Sequence, residues 1–159
     1  MTRIAYAALA AVALLSLAGA PARADDVETC NDPQGQPTID ACTRLIESGS
    51  LSVDHRSSVF NNRGHAYYTL DQYARAIQDW DETIRLEPDN PYVFIERGSA
   101  YYALGQYARA IQDFDEAIRL KPDLALAFSS RSNAERKMGN TAAADADSAK
   151  AEALDPEDW

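Results

Sequence analysis

The segment QYARAIQD occupies residues 72–79 and recurs unchanged at 106–113. Extended outward, the match pairs Gly64 to Asp89 with Gly98 to Asp123, and only six of the 26 paired positions differ. The differences are His65/Ser99, Thr69/Ala103, Asp71/Gly105, Trp80/Phe114, Thr83/Ala117 and Glu87/Lys121, mostly exchanges that keep size or polarity. A fixed 34-residue period constrains the fold more than any local propensity does, because it makes the chain an array of copies of one small unit.

Each unit reads as two helices. Asn90 can cap the first, and Pro91 suits its first turn. Phe94, Gly98, Tyr101 and Tyr102 follow at helical spacing, and Leu104-Gly105 supplies a stop. Tyr107, Ala110, Ile111, Phe114, Ala117, Ile118 and Leu120 then recur at intervals of three and four, one apolar stripe of a second helix. Pro122 ends it, since proline cannot continue the hydrogen-bond ladder. Two such helices joined by a few residues form an antiparallel hairpin, and one hairpin alone cannot bury its stripe. Neighbours must stack, which predicts an all-α solenoid of about seven helices.

The pattern resembles the tetratricopeptide repeat, whose 34-residue unit combines an aromatic, a glycine, a tyrosine, an alanine, a second aromatic and a closing proline. Residues 57–90 supply Phe60, Gly64, Tyr67, Ala76, Trp80 and Pro88. Residues 91–124 supply Phe94, Gly98, Tyr101, Ala110, Phe114 and Pro122. A third unit, 125–158, keeps Phe128, Ala144 and Pro156 but has Ser132 for the glycine, Glu135 for the tyrosine and Ser148 for the second aromatic. Loss of tight packing is expected there, as suits a terminal unit with a wetter outer face. Upstream, residues 39–47 resemble the second helix of a repeat with Cys42 in the place of Trp80, a half-repeat capping the other end within 25–56. The resemblance implies a right-handed superhelix of stacked hairpins.

Where the family favours leucine before the glycine, this chain has Arg63, Arg97 and Arg131. An aspartate follows each sixteen residues later: Asp79, Asp113 and Asp147. In a helical hairpin these positions can face each other. They form either an ion pair inside each hairpin, for which the arginine fork is suited, or a row of charges for a ligand.

The N-terminus has a separate role. Arg3 precedes an apolar run from Ile4 to Ala20, and Ala22-Arg23-Ala24 places small residues as a signal peptidase requires, so residues 1–24 read as a secretory leader. Export, to the periplasm in a Gram-negative cell and otherwise outside the cell, puts the only two cysteines, Cys30 and Cys42, in an oxidising compartment. A disulfide between them is expected, worth about 3 kcal/mol in the chain-entropy picture. A metal or redox pair is the weaker alternative, since the spacing is not C-x-x-C.

The formal net charge of −10 argues against nucleic acid and against an anionic membrane surface as partners. No catalytic constellation emerges. His55 and His65 lack metal-ligand companions, the serines at 48–58 have no placed base, and the carboxylates of residues 79–82 and 113–116 point to different sides of a helix. No enzymatic activity, metal or cofactor is expected. The family resemblance implies instead a protein-binding module, with the first helices of successive hairpins lining a concave groove. Carried over by position, that groove includes Asn61, His65, Tyr68, Tyr92, Ile95, Ser99, Tyr102, Asn133, Arg136 and Lys137. Some family members clamp a terminal carboxylate with lysines and arginines; the first two repeats here offer neither at matching positions. The alternative role is structural, a unit that self-associates into a homo-oligomer.

Overall fold

The computed structural model describes residues 21–32 and 35–154; most of the expected leader, residues 1–20, lies outside them. The described residues form eight helices and no strand: α1 (Asp26–Cys30), α2 (Gln36–Ser48), α3 (Val53–Thr69), α4 (Tyr73–Leu86), α5 (Pro91–Ala103), α6 (Tyr107–Leu120), α7 (Ala125–Met138) and α8 (Thr141–Leu154). The expectation of about seven helices is exceeded by one, the single short turn of α1. No described helix is long and apolar enough to cross a membrane.

Helices α3/α4, α5/α6 and α7/α8 are the three hairpins, and α1 and α2 precede them. Consecutive helices pack on each other along the whole series, and α5 also packs on α7, so the first helices of the last two hairpins adjoin. The buried core follows this order. Ala76, Ile77, Trp80, Val93 and Ala100 fill one region, and Phe94, Ile95, Ala110, Phe114, Ala117, Ala127 and Ala134 the next. Among the described residues, the packed helix pairs are neighbours or next neighbours in sequence, as the nearest-neighbour logic of a repeat array requires.

The glycine–aromatic pairing within a hairpin is a matter of volume. A Cβ at Gly98 would lie 2.6 Å from Phe114 Cε1, and one at Gly64 would lie 2.8 Å from Trp80 Nε1. Those rings are fully buried, so the two helices meet where one residue has no side chain. In the third hairpin both partners change together. Ser132 Oγ lies 2.7 Å from the Ala144 carbonyl and 2.8 Å from Ser148 Oγ. A polar contact thus replaces the ring where the glycine is gone. The two departures from the pattern are one coupled exchange, and Ser132 stays buried.

Each hairpin turn contains one residue with left-handed backbone, at 34-residue intervals: Asp71 (φ 57°), Gly105 (φ 72°) and Gly139 (φ 83°). Aspartate is among the few non-glycine residues that tolerate this region, which explains the Asp71/Gly105 difference between otherwise identical segments.

Helix α3 departs from the period. It begins at Val53, one turn earlier than the 34-residue spacing of α5 and α7 places it. No proline stops it there, and the Ser52 side chain accepts a hydrogen bond from the His55 N–H as cap. The preceding helix is therefore displaced by 38 residues relative to α4, and Cys42 occupies the place of Trp80, fully buried. Cys30 and Cys42 are disulfide-bonded, with a Cα–Cα distance of 5.0 Å. Asp26 adds a second tie between α1 and α2, an ion pair with Arg44 in which Nε lies 3.0 Å from each carboxylate oxygen. Asn62 on α3 donates to Asn31 Oδ1 at 3.0 Å.

Candidate protein-binding groove

The arginine ladder sets how the hairpins sit on each other. Arg63 donates to Asp79 through Nε at 2.8 Å and Nη2 at 2.7 Å. Arg97 holds Asp113 at 2.9 and 2.6 Å, and Arg131 holds Asp147 at 2.7 and 2.7 Å. All three are two-pronged contacts inside one hairpin, the geometry for which a guanidinium is preorganised. The third nitrogen reaches back to the preceding hairpin: Arg97 Nη1 to Asp81 Oδ1 and Arg131 Nη1 to Asp115 Oδ1, both 2.6 Å. Arg63 Nη1 finds the Thr43 hydroxyl at 3.0 Å instead, since the 38-residue offset puts Thr43 in the place of Asp81. Each guanidinium also lies over the phenyl ring one turn earlier, at 5.6 Å from Phe60, 5.7 Å from Phe94 and 5.6 Å from Phe128. One side chain per repeat therefore clamps three helices.

Burial lowers the tendency of Arg97 to stay charged, but its bonds to Asp113 and Asp81 outweigh that and hold its pKa well above the ordinary value. Burial raises the carboxyl pKa of Asp79 and Asp113 above 3.8, with the arginine bonds pulling the other way. The ladder residues are engaged with one another, an arrangement that serves cohesion.

Around the helices from the ladder, α3, α5 and α7 form a cleft of ≈ 260 Å³ lined by His65, Tyr68, Ile95, Glu96, Ser99, Leu126 and Ser130, with Trp80 at its base. A second depression of ≈ 180 Å³ continues it through Tyr68, Ser99 and Ser130 to Tyr102 and Asn133, over Phe114. Of the residues placed in a groove by position, the structure brings together His65, Tyr68, Ile95, Ser99, Tyr102 and Asn133. Ile95 contributes as floor, being 5% exposed and packed into the core. Four do not line the cleft. Asn61 accepts a hydrogen bond from Trp80 Nε1 at 3.1 Å. Tyr92 is turned to Lys121, whose Nζ donates to its hydroxyl at 2.9 Å. Arg136 is tied to Asp145 at 3.0 Å and Ser148 at 3.2 Å on α8. Lys137 is exposed on the last turn of α7.

The tyrosines are braced. Tyr68 meets Tyr73 edge-on at 5.2 Å and Trp80 at 5.9 Å, and Tyr102 meets Tyr107 edge-on at 5.3 Å. Both remain half-buried, one side packed and one side facing the cleft. His65 Nε2 lies 2.8 Å from Glu96 Oε1, linking α3 to α5, and the Glu96 hydrogen bond raises the His65 pKa above 6.5 against the effect of burial. Glu96, Leu126 and Ser130 were not anticipated. Leu126 is an apolar residue on α7 that the core leaves uncovered, a property its sequence position does not carry.

Stacked helical hairpins with a concave face lined by braced aromatics define a helical-repeat scaffold. The tetratricopeptide-repeat family model matches residues 61–125, most of the two near-identical copies, and identifies this part of the chain as tetratricopeptide repeats. The fold of that family is a scaffold for protein–protein interaction. Among solved structures, the first repeat domain of Spaghetti (RPAP3) bound to the HSP90 peptide SRMEEVD is similar. It is 26% identical, with 66% of this chain and 83% of that one covered and a TM-score of 0.64. The Arabidopsis OM64 repeat domain is 25% identical, covering 67% of this chain and 88% of its own, with a TM-score of 0.65. MamA shares the fold at 21% identity, covering 77% and 71%, with a TM-score of 0.68. No curated protein matches the sequence.

Proposed function

We propose that the chain is an exported, non-catalytic interaction module that binds a peptide or helix of a partner protein in the cleft of α3, α5 and α7. The observation that carries this reading is the repetition of a braced, half-exposed tyrosine, Tyr68 and Tyr102, at one position of successive repeats along one continuous depression. Rigid aromatics with a polar tip bury much area at small entropic cost, the property that makes them frequent anchors at interfaces. The peptide held by the RPAP3 domain supports a peptide as the ligand class. That peptide is acidic, whereas α3 and α5 put no lysine or arginine into the cleft, so the ligand here differs in chemistry. Export is supported by the leader pattern of residues 1–24 and by the bonded state of Cys30 and Cys42.

The test is Tyr102→Ala, with partner binding and thermal melting measured on one preparation of the exported protein. Loss of a central aromatic anchor typically costs about 2 kcal/mol or more of binding. Weakened binding with an unchanged melt is the expected result. Binding and melt falling together would make Tyr102 a packing residue, and a concentration-dependent dimer in sedimentation, with the groove variant silent, would favour the self-associating role.

A further inference from the structure

The cleft contains one carboxylate, and it is incompletely satisfied. Glu96 projects from the middle of α5 between His65 and Ser130. Its Oε1 is held by His65 Nε2 at 2.8 Å, while Oε2 is buried and has no hydrogen-bond partner. An unpaired buried acceptor lowers stability in the free protein, and any ligand that supplies a donor recovers that loss on binding. The last torsion of a glutamate side chain is soft, so the carboxylate can turn toward the cleft without leaving its rotamer well.

The surroundings select the sign of that donor. Apart from His65, no basic side chain lines the cleft, and the chain as a whole carries −10. An acidic segment would meet Glu96 with nothing to receive its charge. A lysine or arginine would meet a carboxylate with a free acceptor and, beside it, the half-buried ring of Tyr68. Aromatic faces favour a cation, and the aliphatic stem of such a side chain can lie along them. Leu126, 54% exposed on the rim, offers an apolar neighbour.

We propose that this cleft selects a peptide segment carrying one lysine or arginine, whose cation docks on the Glu96 carboxylate while adjoining apolar side chains cover Tyr68, Tyr102 and Leu126. The proposal rests on the groove reading above and adds to it the charge of the ligand.

The experiment uses the full exported chain and a phage-displayed library of random twelve-residue peptides. Enriched sequences are then synthesised with blocked ends and titrated by fluorescence polarisation against the native protein, Glu96→Gln and Ser99→Trp. The tryptophan fills the cleft between Tyr68 and Tyr102, and circular dichroism confirms that each variant is folded. The expected result is enrichment of peptides with a basic residue at one shared position. Their affinity should fall about tenfold or more on Glu96→Gln, or on replacing that residue by glutamine, as for the loss of a hydrogen bond to a charged group. Peptides blocked by Ser99→Trp but lacking a basic position, or indifferent to Glu96→Gln, overturn the proposal and leave the groove standing. Peptides indifferent to Ser99→Trp, or no enrichment at all, overturn both.

Discussion

Arg97→Ala probes the ladder at its centre. Both oxygens of Asp113 are held by Arg97, and Asp113 is only 5% exposed. Truncation leaves that carboxylate buried without either bond, and breaking a buried pair from one side costs about 3–5 kcal/mol. Two smaller losses accompany it. The bond to Asp81 ends on a carboxylate that is 51% exposed, which contributes at most about 1 kcal/mol. The stacking over Phe94 contributes about 0.5–1 kcal/mol more. Against a domain stability of about 5–15 kcal/mol, a loss of about 4–7 kcal/mol is large. The double change Arg97→Leu with Asp113→Ala removes both charges and keeps apolar volume, and such replacements are often near neutral. It should cost less than the single truncation. Acidity provides an internal check. Burial already raises the Asp113 pKa above 3.8, and Arg97 is the group opposing that shift. Without Arg97 the folded-state pKa rises further, so protonation favours folding, and the penalty of Arg97→Ala shrinks as pH falls from neutrality toward 4. Urea denaturation followed by far-ultraviolet circular dichroism, over the full mutant cycle at two pH values, measures all of these quantities. A single-mutant cost under about 1 kcal/mol, or zero coupling between the two sites, would refute the reasoning.

Three further outcomes are expected. Reducing the Cys30–Cys42 bridge should lower the stability of α1 and α2 by about 3 kcal/mol yet leave α5 and α6 protected in hydrogen exchange, since stability in such arrays is local; deprotection of α6 would contradict this. Gly98→Ala should lower the melting temperature, because overpacking against Phe114 costs about 1–3 kcal/mol and exceeds the helix-propensity gain of about 1 kcal/mol; an equal or higher melt would show that the helices part freely. The His65–Glu96 contact should stabilise the fold below pH 6.5 and lose its effect as pH rises through the elevated His65 value. Comparing native protein with His65→Gln across that range checks the sign, and a difference that grows with pH would reverse it.

Much of the architecture was legible because the information is periodic. The 34-residue spacing, the helix breaks and the glycine–aromatic positions all report contacts between residues sixteen apart, and the same spacing pairs Arg97 with Asp113 and Ser132 with Ser148. Two structural facts lay outside the period. Helix α3 starts a turn early because Ser52 caps where other hairpins have a residue followed by Pro91 or Ala125, and nothing in the repeat anticipates that. The membership of the groove was only half legible. Ile95 and Glu96 are adjacent, and a helix turns about 100° between them. The first proved to be floor at 5% exposure, and the second reaches the cleft.

That rotational phase is set by the ladder. Arg97 follows Glu96 directly and is fixed on two sides, by Asp113 of its own hairpin and Asp81 of the one before. With its guanidinium held against α4 and α6, α5 cannot rotate about its axis, and Glu96, 100° away, is turned toward α3, where His65 meets it at 2.8 Å. Arg63 fixes α3 as Arg97 fixes α5, so Tyr68 and Tyr102 present equivalent faces. The charged pairs made by the arginines that stand where the family favours leucine therefore do more than hold hairpins together. They determine which side chains each first helix turns toward the cleft, so loosening the ladder is expected to disturb the cleft as well as the stability of the array.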